Sequence, residues 1–164
     1  KSNDKPTFFR FLNPKDDTFP SKLELATVKP FDNWEWDFVP LDAGDARSSL
    51  SAILFEKDFY SFILDNATVI HGISTMRLEG LIPLKSLAYL ELFKQENPSP
   101  KVLANIEKHR QDIFRLADVL PESSFQLPPH VAEITNEALN LIASKIQNED
   151  VVEILEMLKQ FYQL

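Results

Sequence analysis

The spacing of apolar residues changes along this chain from short, strand-like runs to helical periodicity. Residues 7–12 (TFFRFL) read as a short aromatic strand, followed by turn chemistry at Asn13-Pro14-Lys15-Asp16-Asp17. Residues 22–28 (KLELATV) read as a second strand, broken by Pro30 and Asp32-Asn33. From Trp34 to Val39 the alternation is strict, with Trp34, Trp36 and Phe38 on one side and Glu35, Asp37 and Val39 on the other. After a loop at 42–45, residues 49–55 (SLSAILF) and 67–73 (ATVIHGI) read as strands, with a short helix over 56–64 between them.

From Leu81 onward the apolar positions recur every three to four residues. Four helices follow, over about 81–95, 101–120, 131–146 and 152–162, with prolines punctuating 97–100, 121 and 128–129. Strands first and helices after predict an α+β domain with segregated layers. Its β part, mostly antiparallel or mixed, spans 1–80. Its helical part spans 81–164 and packs on the sheet as one compact unit.

One residue disturbs this pattern. In the first of the four helices Leu81, Ile82, Ala88, Tyr89, Leu92 and Phe93 form an apolar face, and Lys85 falls in the middle of it. Pro83 suits a first helical turn, which would also place Lys85 near the positive end of the helix dipole. A lysine so placed requires a compensating anion, either a carboxylate of the protein or a phosphate of a ligand. The next helix offers Asp112 at the margin of its apolar stripe, beside Lys108 and Arg115. The plainer alternative is an ordinary helix pair with a snorkelling lysine and a solvated acid.

Composition narrows the function classes. The 164 residues suit one domain, and 44% hydrophobic content is ordinary for a globular protein. No run of about 18 apolar residues is present, which predicts no membrane span. The chain opens on Lys1 rather than methionine, and this suggests a processed chain or one whose beginning lies upstream. Absence of cysteine removes disulfides and thiolate chemistry, and fits a cytoplasmic location. With 25 acidic and 17 basic residues the net charge is −8, which argues against a broad nucleic-acid grip. Lys101, Lys108, Arg110 and Arg115 still cluster on one helix, as a local basic patch or a solvated face.

Phosphate-loop, dinucleotide, zinc-protease and serine-elbow motifs are all absent, and 3 glycines leave little for a Gly-rich loop. His71, His109 and His130 lack ligand spacing and read as structural or surface residues. What remains is a set of strand carboxylates, Glu24, Glu35 and Asp37, with Lys85 and Asp112 on the helices. Strand carboxylates holding Mg²⁺, with a lysine on the phosphates, are what metal-dependent phosphoryl transfer requires. Strands also carry such acids routinely on their solvent faces.

Several segments resemble, in order and spacing, the later part of polymerase-beta-type nucleotidyltransferase-like proteins. These are bacterial proteins related to the abortive-infection toxins of toxin–antitoxin systems. The matching segments are Phe9-Arg10-Phe11, Phe19 to Leu25, Ser49 to Leu54, Gly72-Ile73, Leu81 to Lys85 with Ala88, and Lys108 to Leu116. The resemblance implies transfer of a nucleoside monophosphate from a nucleoside triphosphate to an acceptor, with RNA as a candidate acceptor. It implies Lys85 and Lys108 as nucleotide-binding residues, Lys85 and Asp112 as active-site residues, and Glu24 (with Asp37 as second choice) as a Mg²⁺ ligand. An antitoxin-like protein partner is also implied. The family's Gly-Ser motif and the Asp-x-Asp pair that follows it do not occur in residues 1–164. Without that pair the metal loses most of its ligands, so this chain alone is expected to be inactive. The alternative is a noncatalytic interaction domain that keeps the fold, with Lys85 and Asp112 as a buried structural pair.

Overall fold

In a computed structural model the described residues are 10–12, 15, 16, 18, 22–24, 26–28, 38–42, 49–146 and 148–164. Side chains are described at 15, 16, 18, 27 and 28 and from 55 onward, residue 147 apart. The described part is α+β, with strands concentrated in the first half and helices in the second. It divides into two compact units, Lys1–Ser61 and Phe62–Leu164.

In the first unit, β1 (Arg10–Leu12) pairs antiparallel with β2 (Lys22–Glu24), Arg10 opposite Glu24 and Leu12 opposite Lys22. Between them Asp16 Oδ1 accepts from the Thr18 amide at 3.0 Å and from its hydroxyl at 2.7 Å. This local side-chain turn fits the turn chemistry of the sequence there. The run 22–28 is not one strand: β3 (Ala26–Val28) belongs to another sheet. That sheet has the order β3–β5–β4, with β4 at Phe38–Asp42 and β5 at Ser49–Phe55. β3 runs parallel to β5 and β4 antiparallel, so the pairing is mixed. Pro40 lies within β4, at an outer position of the described sheet, where its missing N–H is tolerated. Trp34, Trp36 and Asp37 lie outside the described residues. Helix α1 (Lys57–Asp65) carries the division between the units and buries Phe59 and Phe62.

The second unit begins with a hairpin that the sequence pattern concealed. Residues 67–73 do not form one strand: β6 (Ala67–Ile70) turns at His71-Gly72 and returns as β7 (Ile73–Met76). Both turn residues have positive φ, 50° at His71 and 79° at Gly72, as a tight two-residue hairpin turn requires.

Four helices follow: α2 (Leu78–Phe93), α3 (Pro100–Ala117), α4 (Pro129–Lys145) and α5 (Glu149–Tyr162). Helix α2 is apolar on most sides and lies against both α3 and α4. Pro100 opens α3, whose first turn is capped by Ser99 Oγ accepting from the Val102 amide. Asn148 caps α5, accepting from the amides of Asp150 and Val151. The core of this unit gathers Ile82, Leu90, Ile113, Val131, Leu139, Ile142, Leu155 and Leu158, all almost fully enclosed. Val152, in the first turns of α5, is 43% exposed.

Candidate functional site

The site is built where α2 passes α3. Helix α2 starts at Leu78, three residues earlier than the sequence suggested, so Pro83 is interior rather than in the first turn. Lys85 is then the eighth residue of the helix, beyond the first turn where the dipole acts most strongly. The fully buried line on α2 is Ile82, Ser86, Tyr89 and Leu90, centred one residue after Lys85. Lys85 therefore stands on the flank of the buried face rather than in its middle, and its side chain is 30% exposed.

From that flank Lys85 meets a carboxylate. Its Nζ donates to Asp112 Oδ2 at 2.8 Å, joining two helices across 27 residues of sequence. Asp112 is held by α3 beside Ile113, which is fully buried and anchors that turn in the core. The carboxylate is more enclosed than the lysine, at 18% exposure. Arg115, one turn further along α3, approaches the other oxygen at 3.7 Å but remains mostly in solvent.

Burial alone would push the Asp112 carboxyl upward. The Lys85 hydrogen bond and charge, joined by the charges of Lys108 and His109, outweigh burial and hold it below the usual carboxylate range. One carboxylate thus sits among several cationic groups, and the neighbourhood keeps a positive excess on a chain that is acidic overall. Leu81, Lys85, Asp112, Arg115 and Leu116 line an open depression of about 360 Å³ over this pair.

Residues assigned from sequence divide into two groups. Lys85, Lys108 and Asp112 converge in one neighbourhood. Glu24 lies on β2 opposite Arg10, with its side chain outside the described residues, as is the whole of Asp37. Among the described residues no three histidine, aspartate or glutamate side chains come together as a metal-binding group. Arg115 and the apolar walls Leu81 and Leu116 were not assigned to the site from sequence. The signal for Arg115 was present in its three-residue spacing from Asp112, which puts both on adjoining helix positions.

Elsewhere on α3 the basic cluster is partly consumed by local pairing. Arg110 makes two hydrogen bonds to Glu107, at 2.9 and 2.6 Å, and lies 5.9 Å from the Phe114 ring centroid. Glu107 also accepts from Gln111, and Arg110 chiefly holds its carboxyl below the usual range. Set against protein-family models, curated proteins and solved structures, the chain matches none.

Proposed function

We propose that this chain is the phosphate-contacting part of a nucleotidyltransferase-like protein, which transfers a nucleoside monophosphate from a nucleoside triphosphate to an acceptor, RNA being the candidate. The observation that carries the reading is the Lys85–Asp112 contact at 2.8 Å. It joins the two segments on which the family resemblance is most specific, and it does so at an open, locally cationic depression. In this reading Asp112 orients the Lys85 ammonium, Lys85 contacts phosphate oxygens as a fixed positive charge, and Lys108 adds to the field. Mg²⁺ would be supported by Glu24, or by Asp37, and because the Asp-x-Asp pair of the resembled family does not occur in residues 1–164, this chain alone would bind without catalysing. An antitoxin-like protein partner belongs to the same proposal.

Labelled-nucleotide transfer by the whole protein that carries this chain tests the reading, compared with its Lys85→Ala variant. Transfer should fall by about 10²-fold or more without the lysine, the usual scale for losing a positioned charge at a transferring phosphoryl group. Equal transfer by the two proteins removes Lys85 from the reaction.

A second reading is favoured by the same contact seen from the other side. The ammonium is already satisfied by Asp112, and the pair clamps α2 to α3, as a purely structural bridge would. The protein is then a noncatalytic interaction domain. In that case removing both charges together changes neither ligand binding nor, by more than about 1 kcal/mol, stability.

A further inference from the structure

Two exposed helix faces of the second unit carry opposite charge and the same repeat. On α3 one line of exposed positions runs Lys101, Ala104, Lys108, Gln111 and Arg115, a stripe with no carboxylate in it. The acids of that helix lie off the stripe: Glu107 is engaged by Arg110 and Gln111, and Asp112 by Lys85. On α5 the outward positions are Glu149, Val152, Glu153, Glu156, Met157 and Gln160, a stripe with no cation in it. Lys159 flanks this stripe and pairs with Glu156 at 2.7 Å, one cation against the three acids Glu149, Glu153 and Glu156.

The repeats agree. Lys101, Lys108 and Arg115 follow one another at seven-residue steps, and Glu149 and Glu156 are separated by the same step. At 1.5 Å per residue that is about 10.5 Å along either helix. Two helices laid side by side with this repeat bring opposite charges into register, as the flanking positions of paired helices do. Apolar area is available to close the contact, since Leu103 on α3 is 53% exposed and Val152 and Met157 on α5 are 43% and 40% exposed. Both stripes point outward from the same unit, so one copy offers each to another copy.

We infer that the chain self-associates through these faces, α3 of each copy lying against α5 of the other in a two-fold pair. Such a pair makes the complementary contact twice, because every contact from one copy is returned by its partner. A polyanion such as a nucleic acid would engage the basic stripe alone and leave the acidic one without a role. Lys108 and Arg115 also border the depression over Lys85 and Asp112 that the nucleotide reading concerns, whereas the acidic stripe of α5 does not, so its reversal tests self-association apart from that reading.

The experiment is sedimentation equilibrium of the full chain and of two charge-reversed forms, Lys101→Glu/Lys108→Glu and Glu153→Lys/Glu156→Lys. The unaltered chain should associate at low salt, and its dissociation constant should rise on the order of tenfold when salt shortens the screening length from about 10 Å to about 3 Å. Each reversed form alone should be monomeric, since it sets like charges opposite each other twice. Mixed in equal amounts, the two should pair again, because an acidic α3 then meets a basic α5 and the reverse. Unfolding curves of both forms that match the unaltered chain show that the fold is kept. A chain monomeric at low salt, association unchanged by either reversal, or a mixture that stays monomeric would each overturn the inference. So would a basic-stripe reversal whose sole effect is to abolish binding of heparin, used as a model polyanion.

Discussion

The Tyr162 hydroxyl donates a hydrogen bond to the backbone carbonyl of Glu79, 2.7 Å away and 83 residues earlier in sequence. The reason lies at Pro83. Four residues after Glu79, proline has no N–H to return to that carbonyl, so a helical bond is missing in the interior of α2. Tyr162 fills the place from the end of α5 and ties the last helix to the start of α2. Its ring packs edge-on against Phe161, 4.8 Å between centroids, and against Phe125.

Tyr162→Phe should therefore cost about 1–3 kcal/mol, the usual penalty for a buried acceptor left without a donor. Pro83→Ala supplies the missing N–H, so adding Tyr162→Phe to it should cost clearly less. Chemical denaturation of the two single variants and the double variant measures the coupling. Additive effects would break the link between the two residues.

Burial, with a smaller contribution from Glu79, raises the Tyr162 phenol well above its ordinary range. A raised value means that the folded state binds the proton more tightly than the unfolded one. Its contribution is complete below the unfolded value of about 10 and is lost as pH rises above it. Unfolding followed between pH 8 and pH 11 should show a fall in stability that Tyr162→Phe reduces. An unchanged slope in that variant would contradict the assignment.

Asp112 works in the opposite direction. Its folded value is held down, so its contribution is complete above the unfolded value of about 3.9 and is lost as pH falls below it. Asp112→Asn should flatten the loss of stability between pH 5 and pH 2, read from thermal unfolding in that window. An acid limb identical to that of the unaltered chain would show that the Lys85 contact contributes nothing to the fold.

At the hairpin, Gly72 holds φ at 79° with open space where a Cβ would stand. Gly72→Ala should cost about 1 kcal/mol through backbone strain alone, since nothing there clashes. Amide exchange at Val69 and Ile73 should quicken in the variant. Unchanged exchange would mean that the turn does not depend on glycine.

The α+β order and the five helices of the described residues were legible because periodicity near 3.6 persists over long segments. Paired partners were not, because strand pairing depends on residues distant in sequence. Residues 22–28 look continuous in pattern, yet β2 pairs with β1 and β3 with β5. The hairpin turn was hidden because His71 took a positive φ that is commoner for glycine or asparagine, and Ile70 and Ile73 read as one apolar run. Lys85 was found for a sound reason, its placement beside apolar neighbours, although the position enclosed at the centre is Ser86. Asp112 could be named because its own helix stripe left it marginal and near cations. Arg115 was legible as a neighbour of Asp112 from its three-residue spacing, but spacing alone does not show whether such a marginal cation turns toward solvent or toward the carboxylate.

The central claim is that the Lys85 ammonium is present to meet a phosphate, with Asp112 holding it in place. Affinity of this chain for a fluorescent nucleoside triphosphate, measured for the unaltered protein, Lys85→Met and Asp112→Asn, tests it directly. Lys85→Met should weaken binding by at least about tenfold, equivalent to about 1.4 kcal/mol, whereas Asp112→Asn keeps the cation and an amide oxygen that can still accept its hydrogen bond, and should bind as tightly or more tightly. Equal affinity in the unaltered chain and Lys85→Met would contradict the account and leave the pair a bridge between two helices.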